Sequence, residues 1–143
     1  MGLVEMVIAA PLLILLVMGI IEFGTAYNDK ISLNQAVRVA ARAAALGEFP
    51  SYCSTGAFNA KVLCVADRET NVSGATFRVK REGNNMTVCA SAPLSSSTPV
   101  ISQFLDGRTL KSQVTMRVEK EAGQSGHQTS SGGSEFAGWC AVS

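Results

Sequence analysis

Lysine and arginine are absent from residues 1–27, whose only charged residues are Glu5 and Glu22. A secretory signal peptide begins with a basic stretch, so that reading lacks its first element, although Gly24-Thr25-Ala26 offers a small-x-small site. Histidine is almost missing too. The single one, His127, sits in a Gly/Ser-rich stretch and reads as a solvated loop residue rather than a general base. No nucleophile–base spacing, phosphate-cradling glycine loop or carboxylate pair appears, so neither an enzyme nor a cofactor is expected. The four cysteines never approach as CxxC, which argues against zinc. A net charge of +1 over 143 residues lacks the basic field of a nucleic-acid binder, and 47% hydrophobic residues are too many for a disordered chain.

What is present is an apolar rod joined to a modest polar body. Met6–Ile21 is uncharged and broken only by Pro11 and Gly19. As a helix it rises about 24 Å, short of a bilayer core of roughly 30 Å. Adding Leu3, Val4 and Phe23 makes it long enough and places Glu5 and Glu22 at its ends. All 12 basic residues and nine of the 11 acids follow, giving residues 28–143 a net charge of +3. Lys30, Arg38 and Arg42 come directly after the rod, which for a plain anchor would put the body in the cytoplasm. A basic leader that once preceded Met1 and was removed would restore the body to the outside. Glu5 is then either an interfacial acid or the partner of a cation within the apolar layer. The free amine of a processed Met1 would be such a cation.

Asn28–Leu46 contains neither Pro nor Gly, and Ile31, Ala36, Val37, Ala40, Ala43 and Ala44 recur at helical spacing. One helix is expected from Gly2 to Leu46, stopped by Gly47, with Pro11 bending it or melting a turn. The Ala36, Ala40, Ala44 strip suits close approach by a neighbouring helix, or a sheet seated directly on this one.

Beyond it, Phe58–Thr70 reads as a second helix. Ala75–Arg81 and Met86–Ala92 alternate as strands around Gly83-Asn84, a type II′ hairpin turn that pairs Val79 with Val88 and Phe77 with Ala90. Ser95–Gly107 is a connection with an apolar turn at Val100–Leu105, and Leu110, Ser112, Val114, Met116 and Val118 alternate in a third strand. Residues 122–143 form a flexible Gly/Ser-rich segment with an apolar end at Phe136–Cys140. A head of residues 47–121 is small enough to need a staple or a partner. Cys53, Cys64, Cys89 and Cys140 all follow the rod, and their even number favours two disulfides. Cys89 points away from the Val79/Val88 face, which prefers Cys53–Cys64 with Cys89–Cys140; other pairings stay open.

Several pieces of this chain occur together in a known family. Gly2-Leu3-Val4-Glu5-Met6, Pro11-Leu12-Leu13, Ile21-Glu22-Phe23-Gly24, Ala26-Tyr27 and the alanine-rich run Ala36–Gly47 resemble the TadE-like family of Tad (type IVc) pilins and pseudopilins. Thr109–Glu119 is similar more faintly. The resemblance implies an α+β, pilin-like lollipop: a long N-terminal hydrophobic helix packed on a small three-stranded antiparallel sheet head. It implies a structural pilin subunit that waits in the inner membrane, meets a prepilin peptidase and the pilus assembly machinery, and self-associates into a helical filament at the cell surface. Glu5 would neutralise the Met1 amine of a neighbour, and Pro11, Glu22, Ala36, Ala40 and Ala44 would line assembly contacts. A minor pseudopilin that primes or caps another pilin's fibre is the alternative within the family. A monomeric membrane-anchored binding domain is the alternative outside it.

Overall fold

The computed structural model describes residues 2–94 and 107–118 together with Cys140. Helix α1 (Gly2–Leu46) is one uninterrupted element. Its first half is apolar on every side and its second half is rich in alanine, the residue most favourable to helix. The chain passes through Pro11 as helix, so no turn is melted there, although Pro11 has no N–H for the Val7 carbonyl. Gly47 ends α1 at φ 67°, the left-handed conformation that glycine adopts without a Cβ clash.

A short 3₁₀ turn (Ser51–Cys53) leads to α2 (Phe58–Glu69). Three antiparallel strands follow: β1 (Thr76–Glu82), β2 (Asn85–Pro93) and β3 (Thr109–Arg117), in the order β1-β2-β3. Gly83 takes φ 58° and Asn84 does not go positive, the pattern of a type II′ turn. The hairpin register pairs Val79 with Val88 and Phe77 with Ala90, as alternation predicts. The other register pairs Met86 with Met116, Val88 with Val114 and Ala90 with Ser112. One face of the sheet is therefore apolar across all three strands, and it lies on α1 and α2.

The core forms where α1, α2 and that face meet. Leu33, Val37, Val62, Val65, Met86 and Val88 are fully buried there. Each such side chain contributes about 1.5–3 kcal/mol relative to exposure. Phe49 and Phe58 meet edge to face at 5.4 Å between ring centres and close the end of the core. The buried strip of α1 runs Leu33, Ala36, Val37, Ala40, Ala41, Ala44, Ala45. Ile31, expected on that strip, is 40% exposed. At 3.6 residues per turn it falls more than about 100° from the strip's midline.

The expected connection at 95–106, including Val100–Leu105, and the tail at 122–139 with His127 lie outside the described residues. Of the apolar end only Cys140 is described. It is buried and bonded to Cys89 on the face of the sheet away from α1.

Candidate assembly surface

α1 changes character along its length because the head covers only part of it. Every large apolar residue from Leu3 to Tyr27 is exposed, whereas residues 33–45 carry the core strip. The bare part from Gly2 to Ile21 is about 29 Å long at 1.5 Å per residue. Its apolar surface far exceeds the few hundred Å² (roughly 300–600) that a soluble monomer leaves open. This helix is long and apolar enough to cross a membrane.

The boundary between rod and head is held by polar contacts. Lys30 Nζ donates to the Lys111 carbonyl on β3. The Asn71 N–H, just past α2, donates to Ser32 Oγ at 3.2 Å. Ser112, buried on the apolar face of the sheet, donates from its hydroxyl to Asn34 Oδ1. Three consecutive even positions of α1 thus fasten the head at one level. Sequence periodicity shows Lys30, Ser32 and Asn34 only as a polar interruption. The signal that was there is Ser112, a hydroxyl at an apolar position, which needs a buried partner.

The candidate assembly residues occupy different surroundings. Met1 lies outside the described residues. Glu5 is exposed on the rod, about 25 Å along the helix from Glu22. Pro11 is exposed among apolar neighbours. Glu22 is only 7% exposed, at the foot of the head. Of the two readings of Ala36, Ala40 and Ala44, the described structure has the one in which the head sits directly on them. They are 0–2% exposed, covered by the chain's own head, and have no surface left for a neighbour. Small side chains are needed there because a helix and a sheet both approach α1 closely.

The cysteines form two bridges, Cys53–Cys64 and Cys89–Cys140, each with Cα atoms 5.7 Å apart. The first ties the 3₁₀ turn to α2. The second ties the tail to the central strand. Near the first, the Arg68 guanidinium lies 4.9 Å from the centre of the Tyr52 ring, a cation–π contact on the outside of α2.

Where the rod leaves the head, a groove of about 500 Å³ opens. Gly19, Phe23, Ala26 and Tyr27 form its wall on α1, and Leu94 and Leu110 overhang it from the ends of β2 and β3. Phe23 and Tyr27 stack at 6.4 Å, one helical turn apart. In the sequence Leu110 reads only as an apolar position of the third strand, and Leu94 is not singled out. Among the described residues no group of three or more His, Cys, Asp or Glu could hold a metal ion.

An apolar helix long enough to cross a membrane, rooted in a small disulfide-bonded sheet head, defines a pilin-like α+β lollipop. Comparison with known families agrees: residues 1–42 match the model of the TadE-like protein family. That stretch covers the rod, the fastening level and the first half of the alanine-rich strip. The match makes residues 1–42 similar to that family, and the rest of the chain lies outside it. No curated protein and no solved structure matches the chain.

Proposed function

We propose that this protein is a structural subunit of a Tad-type pilus, stored in the inner membrane through α1 and then assembled through the same helix into a filament at the cell surface. The observation that carries the reading is the continuity of α1. The helix whose far half forms the core of the head leaves its large apolar residues from Leu3 to Ile21 exposed. Lipid can cover that surface before assembly. Neighbouring rods can cover it afterwards, and contacts of this head-to-tail kind propagate as fibres instead of closing.

Glu5 supports a filament over a plain anchor. An acid inside an apolar layer costs on the order of 2.5–3.5 kcal/mol on insertion scales. Its exposed position leaves it open to a cation from another subunit, and in a subunit processed to Met1 the amine of a neighbour's Met1 is the partner we assign to it. Unpaired, that amine would cost several kcal/mol on entering the apolar core of the fibre.

The test is the ratio of sheared extracellular protein to membrane-bound protein at matched expression. Glu5→Ala and Glu5→Gln should insert at least as well as the parent chain and assemble poorly. Parental ratios in both variants would reduce Glu5 to an interfacial acid and favour a monomeric anchor. Assembly that depends on a second, more abundant pilin would assign the chain to priming or capping.

A further inference from the structure

We propose that the groove at the foot of the head holds one acyl chain of an outer-leaflet phospholipid, with the lipid phosphate at Lys30. The inference rests on the membrane-stored stage of the function proposed above. It begins with height. From Leu3 to Phe23 the helix rises about 30 Å, the thickness of a bilayer core, so Gly19–Tyr27 lies at the outer edge of the hydrocarbon. The stacked Phe23 and Tyr27 rings sit at that level, where aromatic side chains favour the membrane interface. A groove opening there is filled from the leaflet before anything else reaches it.

The lining has the matching chemistry. The wall on α1 is floored by small residues: a Cβ on Gly19 would meet nothing within 4 Å, and Ala26 adds only a methyl group. Leu94 and Leu110 close the other side. Glu22 also lines the groove and is only 7% exposed, so it is a largely buried acid in an otherwise apolar wall below Lys30. Lys30 stands at the head-ward end, about 16 Å above Gly19 along the helix. One of its protons goes to the Lys111 carbonyl, and an ammonium has three to give, which leaves two for a phosphodiester. Apolar wall below and cation above is the order in which a phospholipid presents its tail and phosphate.

The test reconstitutes the full chain in phosphatidylethanolamine vesicles carrying a trace of phosphatidylglycerol with a photoactivatable group in its tail. Labelled peptides are then mapped by mass spectrometry. Label is expected on Leu94 and Leu110 as well as on the rod. Gly19→Leu and Ala26→Leu, which fill the groove, should lower label at Leu94 and Leu110 by about fivefold or more, equivalent to roughly 1 kcal/mol of lost affinity. Label around Leu13–Val17 should be unchanged in both variants, and Lys30→Gln should lower the same two sites. Intact disulfide maps confirm that each variant is folded.

Label confined to the rod, or label at Leu94 and Leu110 that ignores all three substitutions, would overturn the lipid site alone. Label there that falls as protein per vesicle rises would assign the groove to a second copy and overturn it as well. A chain that does not insert would overturn the membrane stage and the lipid site together.

Discussion

Asn34 and Ser112, 78 residues apart, meet through a hydrogen bond from the Ser112 hydroxyl to Asn34 Oδ1, between the helix and the apolar face of the sheet. Ser112 pairs with Ala90 across the ladder and is 4% exposed, so no solvent can replace the contact. It fixes the level at which the head sits on α1, and therefore how much of the rod stays bare.

Breaking one side of this pair should cost more than removing both. Asn34→Ala leaves the Ser112 hydroxyl buried and unpaired, at about 1–3 kcal/mol. Ser112→Ala combined with the same Asn34→Ala removes both polar groups and should recover most of that loss. A double-mutant cycle from urea midpoints of the detergent-solubilised chain reads the coupling directly. Additive losses would mean that the bond contributes nothing specific.

The alanine strip should tolerate nothing larger. Ala40 is fully buried, and Ala40→Leu forces helix and sheet apart at about 1–3 kcal/mol. Its neighbour Val39 is 42% exposed, and Val39→Leu should shift the melting temperature by no more than about two degrees, since surface substitutions stay near ±0.5 kcal/mol. Equal effects at the two positions would show that the head does not cover α1 there.

The two bridges should contribute unequally. Cys53–Cys64 spans 11 positions and Cys89–Cys140 spans 51. In the chain-entropy model these loops contribute about 3 and about 4 kcal/mol. Non-reducing peptide mapping should recover these two links, and Cys89→Ser with Cys140→Ser should lower the unfolding midpoint more than the Cys53, Cys64 pair of substitutions. Alkylation of all four thiols in unreduced protein would exclude both bridges.

Two glycines should respond with opposite sign. Gly83 holds φ 58° in the hairpin turn, where an L side chain costs roughly 1–2 kcal/mol, so Gly83→Ala should destabilise the head. Gly24 is helical with open space where a Cβ would go, and Gly24→Ala should add up to about 1 kcal/mol of helix stability. Circular dichroism on melting separates the two. A stabilised Gly83→Ala chain would refute the turn geometry.

Local pattern alone determined the extent of α1, the hairpin around Gly83-Asn84 and the register of its strands. These depend on contacts between near neighbours: an uninterrupted run of helix formers, a turn that tolerates positive φ, and alternation that puts Phe77, Val79, Val88 and Ala90 on one face. The same locality made the apolar rod and the isolated Glu5 visible. Only the tertiary structure decided what covers each stretch. Ala36, Ala40 and Ala44 suit a neighbouring helix or a sheet equally, because a small side chain records that something approaches closely and not what it is. The head covers them, while Ile31 faces outward. The fastening of Asn34 to Ser112 and the groove between Ala26 and Leu110 join residues about 80 positions apart. No periodicity connects such residues. They meet only because the sheet, curled back by its turns, must bury its apolar face on the helix that began the chain.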